Sequence, residues 1–539
     1  MKNIVGGKIT MKRRLAGIGL AAVMLLSAAL VGCSSQSTTT TGNTQPQANA
    51  GTTGTPASSN GEKVLTIASG SDVVSFDIHD HNNTSTEAVH VNMFNYLVKK
   101  DKNQKVQPDL AASWEIVNDT TWRFKLREGV VFHNGDPFTA EDVKFTLERV
   151  AKDNKLLEYG NYKQIKEVKI IDPQTVDIIT NAPEPVLLNR LSRLGSGMLP
   201  SKYIKEKGWE EFLKNPVGTG PYKFQEWKRD DRLTLVKNDQ YFGDKPKWDK
   251  LVFRSIPEDA TRVAELLTGG VDLAVNIPPS DLERIESNEG TQTKTGPTQR
   301  VMMLTVRTTP GTVTENPKVR EAIDLAIDEK AIVDNILAGG GTPTRTRVTP
   351  GNFGANPDLY GKALYDPERA KQLLAEAGYP NGLELTMSAP SGRYLKDKES
   401  AELMQAMLAE VGINVKLELL EWSKFNERYK AKKFNELFMI AYANSMFDGS
   451  LAFDRLTTER AKGESDYSNP EVDKLLADAG ENMNTQEREK QYQKVQQIVA
   501  DERPQIYLYQ MNANYGISDR INFEPRLDEM LFVDEITLK

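Results

Sequence analysis

Cys33 is the only cysteine in the chain of 539 residues. One thiol rules out an internal disulfide framework and any multi-cysteine zinc or iron–sulfur centre. Lys12, Arg13 and Arg14 precede the uncharged run Leu15–Gly32, which ends directly before that cysteine. A basic cluster, an apolar stretch and a small residue at the cut form a secretory signal. The apolar run stands at the lower limit for a membrane span, so an uncleaved N-terminal anchor is the competing reading, and no comparable run recurs downstream. Met11 lies just before the basic cluster, which makes it an alternative start that leaves the first ten residues untranslated.

The tetrad Leu30-Val31-Gly32-Cys33 resembles the lipobox of bacterial lipoproteins. That resemblance implies a signal peptide over 1–32, a diacylglycerol on the Cys33 sulfur and an acylated new N-terminus, which gives the thiol the role of anchor. Two or more acyl chains hold a protein stably to a bilayer where one is marginal. Residues 34–61 carry no charge and almost no large apolar side chain. Such composition cannot offset its conformational entropy by burial, so 33–61 reads as a lipidated cysteine followed by a disordered tether. As a flexible coil it spans roughly 30 Å. Removing the leader, with five basic residues and no acids, leaves 63 basic against 75 acidic side chains, a net charge of −12. That balance argues against nucleic acid as a partner.

Helix signals in the second half are clear. Asn316-Pro317, Asp366-Pro367 and Asn469-Pro470 each place a capping side chain before proline at the first helical position. The first of these predicts one helix running to a stop at Gly339, with Val319, Ile323, Ala326 and Ile327 as its buried stripe. Strand Leu383–Ala389, helix and strand "INVKLELLEW" follow in the order of a βαβ unit, which calls for a parallel or mixed sheet.

The first half alternates differently. Hairpins are predicted at Asn118-Asp119, Asp172-Pro173 and near Arg229–Asp231, and a helix capped by Thr139 with Asp142 at the capping-box position. In "PVGTGPY", Gly218, Gly220 and Pro221 suit a tight fold-defining turn. A phosphate-cradling loop is the alternative, but no Lys-Ser/Thr follows and no helix opens there.

The stretch Pro108–Val150, "NPVGTGPYKFQEW" at Asn215–Trp227, "PKVREAIDLAIDEKAIVDNIL" and Tyr365–Gly382 together resemble the extracellular solute-binding proteins of family 5, the peptide- and nickel-type receptors of ABC importers. The resemblance runs from Glu62 to the C-terminus. It implies an α/β, bilobal periplasmic-binding-protein-like (type II) fold with mixed sheets flanked by helices. The N-terminal lobe would be 62–297, with an extra subdomain at 76–215, completed by 511–539; the C-terminal lobe would be 298–510. It further implies a monomer, lipid-anchored on the extracytoplasmic face, that encloses an oligopeptide or peptide-like solute between its lobes. Closure would be read by ABC permease and ATPase subunits, and no cofactor is needed.

Departures from the family pattern bear on the ligand. Peptide-binding members carry an aspartate for the peptide ammonium where this chain has Asn444, and many have tryptophan where Ala441 stands. An amide cannot form that ion pair, and charge-assisted bonds are about twice as strong as neutral ones. Asp448 would substitute only if its loop rearranged. Asn95 replaces a second acid, while Arg307 stands where relatives have asparagine and can bind a carboxylate bidentately unless it is a solvated surface residue. With Trp422, which is equally suited to a core, and Tyr442, these are the candidate ligand contacts, and they point to an anionic or neutral solute.

His79, His81 and His90, with Asp77 and Asp80 interspersed, raise a metal reading, although a polar loop explains them as well. A nickel- or metal-chelate receptor is therefore the alternative function. No Gly-x-Ser-x-Gly elbow or His-Glu-x-x-His occurs, so the chain is expected not to be an enzyme; a surface-tethered hydrolase with scattered acids is the weaker alternative. A tethered adhesion or sensor protein would use the same cleft without transport.

Overall fold

The computed structural model describes residues 61–539. The leader, Cys33 and all but the last residue of the tether lie outside them. Among the described residues no helix is long and apolar enough to cross a membrane.

An eleven-stranded mixed sheet threads the described chain. Its order begins with Ile413–Glu421, Leu383–Ser391 and Leu437–Ala443 and passes to the long strands Thr291–Val306 and Gln505–Ser518. It continues through Leu273–Val275, Val64–Ser69, Lys250–Ser255, Arg232–Lys237 and Tyr222–Lys228, while Gly341–Pro343 pairs with Gln505–Ser518 off this path. Parallel pairing occurs in two places. Leu383–Ser391 runs parallel to both of its neighbours, and so does Val64–Ser69. The rest is antiparallel. In the pair Thr291–Val306 with Gln505–Ser518 the register slips between Pro297 and Val301. A separate four-stranded antiparallel sheet joins Ala111–Asn118, Thr121–Leu126, Thr175–Thr180 and Ile165–Asp172.

The capping signals act where the sequence puts them. Helices open at Pro317, Pro367 and Pro470, with Asn316, Asp366 and Asn469 side chains accepting from backbone N–H groups of their first turns. Thr139 and Asp142 form the capping box of Ala140–Lys152. The βαβ unit is Leu383–Ser391, Asp397–Glu410 and Ile413–Glu421. One expectation fails: the helix from Pro317 stops at Ala326 and does not run to Gly339. Ile327 is extended, and Asp328 accepts from the Ala331 N–H to start a new helical segment. Aspartate favours such a local bond over helix interior, and here it breaks a stripe that periodicity alone would continue.

Separate apolar cores pack against different parts of the sheet. One holds Met302, Leu304, Leu385, Met439, Ile506 and Leu508; another holds Leu65, Ile67, Trp248, Ala513, Tyr515 and Ile517. A third, around Trp122, Phe124, Val168 and Ile178, fills the four-stranded sheet's own unit. Close approach explains "PVGTGPY". A Cβ on Gly218 would stand 2.0 Å from the Met93 carbonyl oxygen, and one on Gly220 2.5 Å from the Met93 carbonyl carbon. Glycine is required there by backbone packing.

Candidate functional site

A cavity of about 530 Å³ opens where Val64–Ser69, Lys250–Ser255 and Leu273–Val275 meet the register slip in the two long strands. That volume suits a small solute. On one side it is lined by Asp72, Thr84, Ser85, Arg254 and Tyr515, and on the other by Thr298, Arg300, Arg393 and Tyr394. Three non-glycine residues on its wall, Asn276, Lys396 and Glu529, hold left-handed backbone with φ of 56°, 54° and 61°. Strained backbone of this kind gathers at ligand clamps, where surrounding structure holds it in place.

The charges of the cavity differ in how far they are already bound. Asp72 accepts from Trp227 Nε1 at 3.0–3.1 Å and from the backbone N–H groups of Val73 and Asp230 at 2.8 Å. Arg254 donates to Glu265 Oε2 at 2.6 Å. Arg300 approaches Glu529 only to 3.7 Å, beyond a hydrogen bond. Burial pushes the Glu529 carboxyl up, against the pull of Arg300. Arg393 is exposed to the cavity; its guanidinium lies over aromatic faces, 5.4 Å from the Tyr394 ring centre and 5.0 Å from that of Trp422, and among the described residues it makes no ion pair within 4 Å, although the Glu529 carboxylate feels its charge. The backbone that carries it is fixed. The buried Asp397 carboxylate accepts from the N–H groups of Gly392, Arg393 and Tyr394 at 2.8–3.0 Å, and the Tyr394 hydroxyl donates to the Ala441 carbonyl.

None of the five residues singled out from sequence lines this cavity. Arg307 donates to Asp466 at 2.5 Å and to the Phe434 carbonyl at 2.8 Å. Asn95 donates to both Asp109 oxygens at 3.1 Å and accepts from Thr219, beside a crevice of about 20 Å³ that holds little more than a water. Tyr442 donates to the Tyr429 hydroxyl at 2.8 Å, and burial raises its pKa. Trp422 stacks on Phe425, with ring centres 5.7 Å apart, and reaches the site through Arg393 and the Tyr394 ring. Asn444 is fully buried; its amide donates to Asn352 at 2.9 Å, while its Oδ1 has no hydrogen-bond partner among the described residues. Asp448 is taken up by Arg488, a bidentate pair at 2.6 and 2.8 Å. The cavity charges escaped sequence reading because they come from distant stretches, and Arg393 sits in a turn with no periodic signal.

The histidines divide. Arg149 pairs with Asp77 at 2.7 Å and donates to His79 Nδ1 at 2.7 Å. His81 and His90 instead come together with Glu87, a residue the sequence reading passed over. A signal was available, since Glu87 and His90 stand one helical turn apart.

The sequence model of the bacterial extracellular solute-binding proteins, family 5 Middle, matches residues 105–464. The glutathione-binding protein GsiB of Escherichia coli O1:K1 is 32% identical over 460 residues, covering 83% of this chain and 88% of that protein. The structure of HbpA2 from Haemophilus parasuis matches with a TM-score of 0.79 at 26% identity, over 88% of this chain and 100% of the other. The periplasmic binding protein DppA of Helicobacter pylori, in complex with peptide STSA, matches with a TM-score of 0.73 at 27% identity, over 88% and 98%. The fold is that of the periplasmic binding proteins, and the chain belongs to the bacterial extracellular solute-binding proteins of family 5, solute-binding subunits of ABC importers and not enzymes.

Proposed function

We propose that this protein captures a short peptide or peptide-like solute bearing free carboxylates, of the glutathione kind, and hands it to its permease unaltered. The observation that carries the reading is Arg393, a cation on the cavity wall with no carboxylate within ion-pair distance among the described residues. Arg300 adds a second cation whose partner stands off at 3.7 Å, and Glu529 supplies an acid for an ammonium group. A guanidinium recognises carboxylates through paired donors. That the relative GsiB binds glutathione, with two carboxylates and one ammonium, agrees with this charge set. The metal-chelate alternative gains less support, because no histidine lines the cavity among the described residues.

Lobes bounded at 297/298 and 510/511 would meet at the register slip between Pro297 and Val301, which would serve as hinge, and the subdomain at 76–215 would be built around the four-stranded sheet and its core. In a liganded state Asn444 would be a further contact. Its Oδ1 and both polar atoms of the Gln299 side chain are buried without partners, and Phe447 bends the adjoining loop with φ of 56°. Arg307, Tyr442 and Asn95 act through the walls rather than on the solute. Cys33 would be the lipid anchor, retaining the protein at the extracytoplasmic face of the cell membrane; Cys33→Ser is expected to release it to the soluble fraction.

Isothermal titration tests the ligand. Glutathione or a di- or tripeptide is expected to bind one to one, and blocking its carboxylates as amides abolishes binding. Tight binding indifferent to the carboxylates overturns the reading.

A further inference from the structure

The helix Thr84–His90 has two working faces. Thr84, Ser85 and Ala88 line the solute cavity, while Glu87 and His90 point to the opposite side, where His81 meets them. One potential ligand atom from each of these three residues lies within 4.8 Å of the other two. All three side chains are buried, at 2%, 5% and 1% exposure in chain order.

The cluster is polar in an apolar setting. Phe76 stacks on His90 with ring centres 5.6 Å apart, Phe94 meets it edge-on at 5.5 Å, and His81 crosses it at 5.1 Å. Inside this shell, among the described residues, His81 Nε2 and Glu87 Oε2 have no hydrogen-bond partner, and the His90 ring has only the Ser75 backbone. Buried polar atoms are satisfied in the great majority of cases, so such orphans gathered in one place call for an explanation. We propose that His81, Glu87 and His90 hold one divalent transition-metal ion of the zinc type, a structural site that fixes the back of the cavity helix.

The donor set fits. Two imidazoles and a carboxylate are common zinc ligands, with bonds of about 2.0–2.2 Å, so modest side-chain rotations would bring the three atoms onto one ion. Glu87 keeps its other oxygen for the Tyr96 hydroxyl, a supporting bond of the sort that orients a ligating carboxylate. His79 is not a ligand: Arg149 donates to its Nδ1, which places the ring proton on Nε2. Ligation through His81 Nε2 gives up one contact, the 3.4 Å approach of the Asn83 N–H to Nδ1, already at the limit of a hydrogen bond.

The test uses the full chain without a histidine tag, refolded with zinc or cobalt(II), dialysed, and assayed by elemental analysis. The expected result is about one equivalent bound, with four-coordinate visible absorption for cobalt and a raised melting temperature. His90→Leu and Glu87→Gln are expected to lose that equivalent at least tenfold. A wild-type protein that binds less than about a tenth of an equivalent of either metal overturns the proposal, and so does a folded His90→Leu protein that retains it. Should both variants fail to fold, wild-type stoichiometry and cobalt absorption decide alone. Solute titration of the metal-stripped protein keeps this result separate from that of the cavity, whose Arg393 the metal does not touch.

Discussion

The two walls of the cavity are built from similar residues and used differently. On the side of Val64–Ser69 the charges are already bound: Asp72 accepts from three donors, and Arg254 has Glu265. On the side of Leu383–Ser391 the turn after the strand carries Arg393, held by its backbone while its guanidinium stays unclaimed. A charge spent within the protein makes a rigid wall, whereas an unspent charge on a fixed backbone can be spent on a ligand without reorganisation. Pairing state, more than residue type, separates scaffold from recognition.

The sharpest way to break this contrast is Arg393→Ala. Hydrogen bonds to charged groups contribute about 1.5–3 kcal/mol, so affinity for a carboxylate-bearing solute should fall roughly 10- to 100-fold, read by calorimetry, with the melting temperature unchanged. Equal loss of affinity and stability would show that Arg393 is scaffold as well.

Glu329 asks whether an unspent charge marks recognition without a cavity. It is buried, one carboxyl oxygen lacks a partner, and burial raises its pKa to about 8 from 4.5. Between those values the folded protein keeps a proton that the unfolded chain releases, so stability falls as pH rises from 4.5 towards 8, by at most about 1.4 kcal/mol per unit. Glu329→Gln should flatten that slope in urea melts at pH 5.5 and 8 and leave solute affinity untouched.

Asp72→Ala should do the reverse of Arg393→Ala. It strands the Trp227 indole N–H and two backbone donors and is expected to cost about 1–2 kcal/mol, seen as a melting temperature lower by a few degrees, with affinity reduced far less than by loss of Arg393. The smallest effect is expected from Asn189→Ala. Asn189 donates to the Met446 carbonyl at 2.7 Å, beside Lys100, which reaches the same oxygen at 3.3 Å. Asn189 falls in the proposed lobe 62–297 and Met446 in the proposed lobe 298–510, so losing one of two such bonds between them, about 0.5–1.5 kcal/mol, should weaken solute binding a few-fold by speeding dissociation, measurable in stopped flow.

Local chemistry was the legible part of this chain. Asn316, Asp366 and Asn469 each bond within two or three residues, so their helices could be read from neighbours alone. The helix break at Ile327 was missed because Asp328 competes with a periodic pattern that is equally local. The cavity was not legible, since Asp72, Arg300, Arg393 and Glu529 are joined only by sheet order. Residues chosen by family pattern, such as Arg307 and Asn444, proved to have their own partners, Asp466 and Asn352, and no spacing rule reveals such pairings.

The strand Gln505–Ser518 gives Ile506 and Leu508 to one core and Ala513, Tyr515 and Ile517 to another. A single backbone thus runs through both. Neither core can close around its full sheet without it, so the two cannot be completed independently of each other.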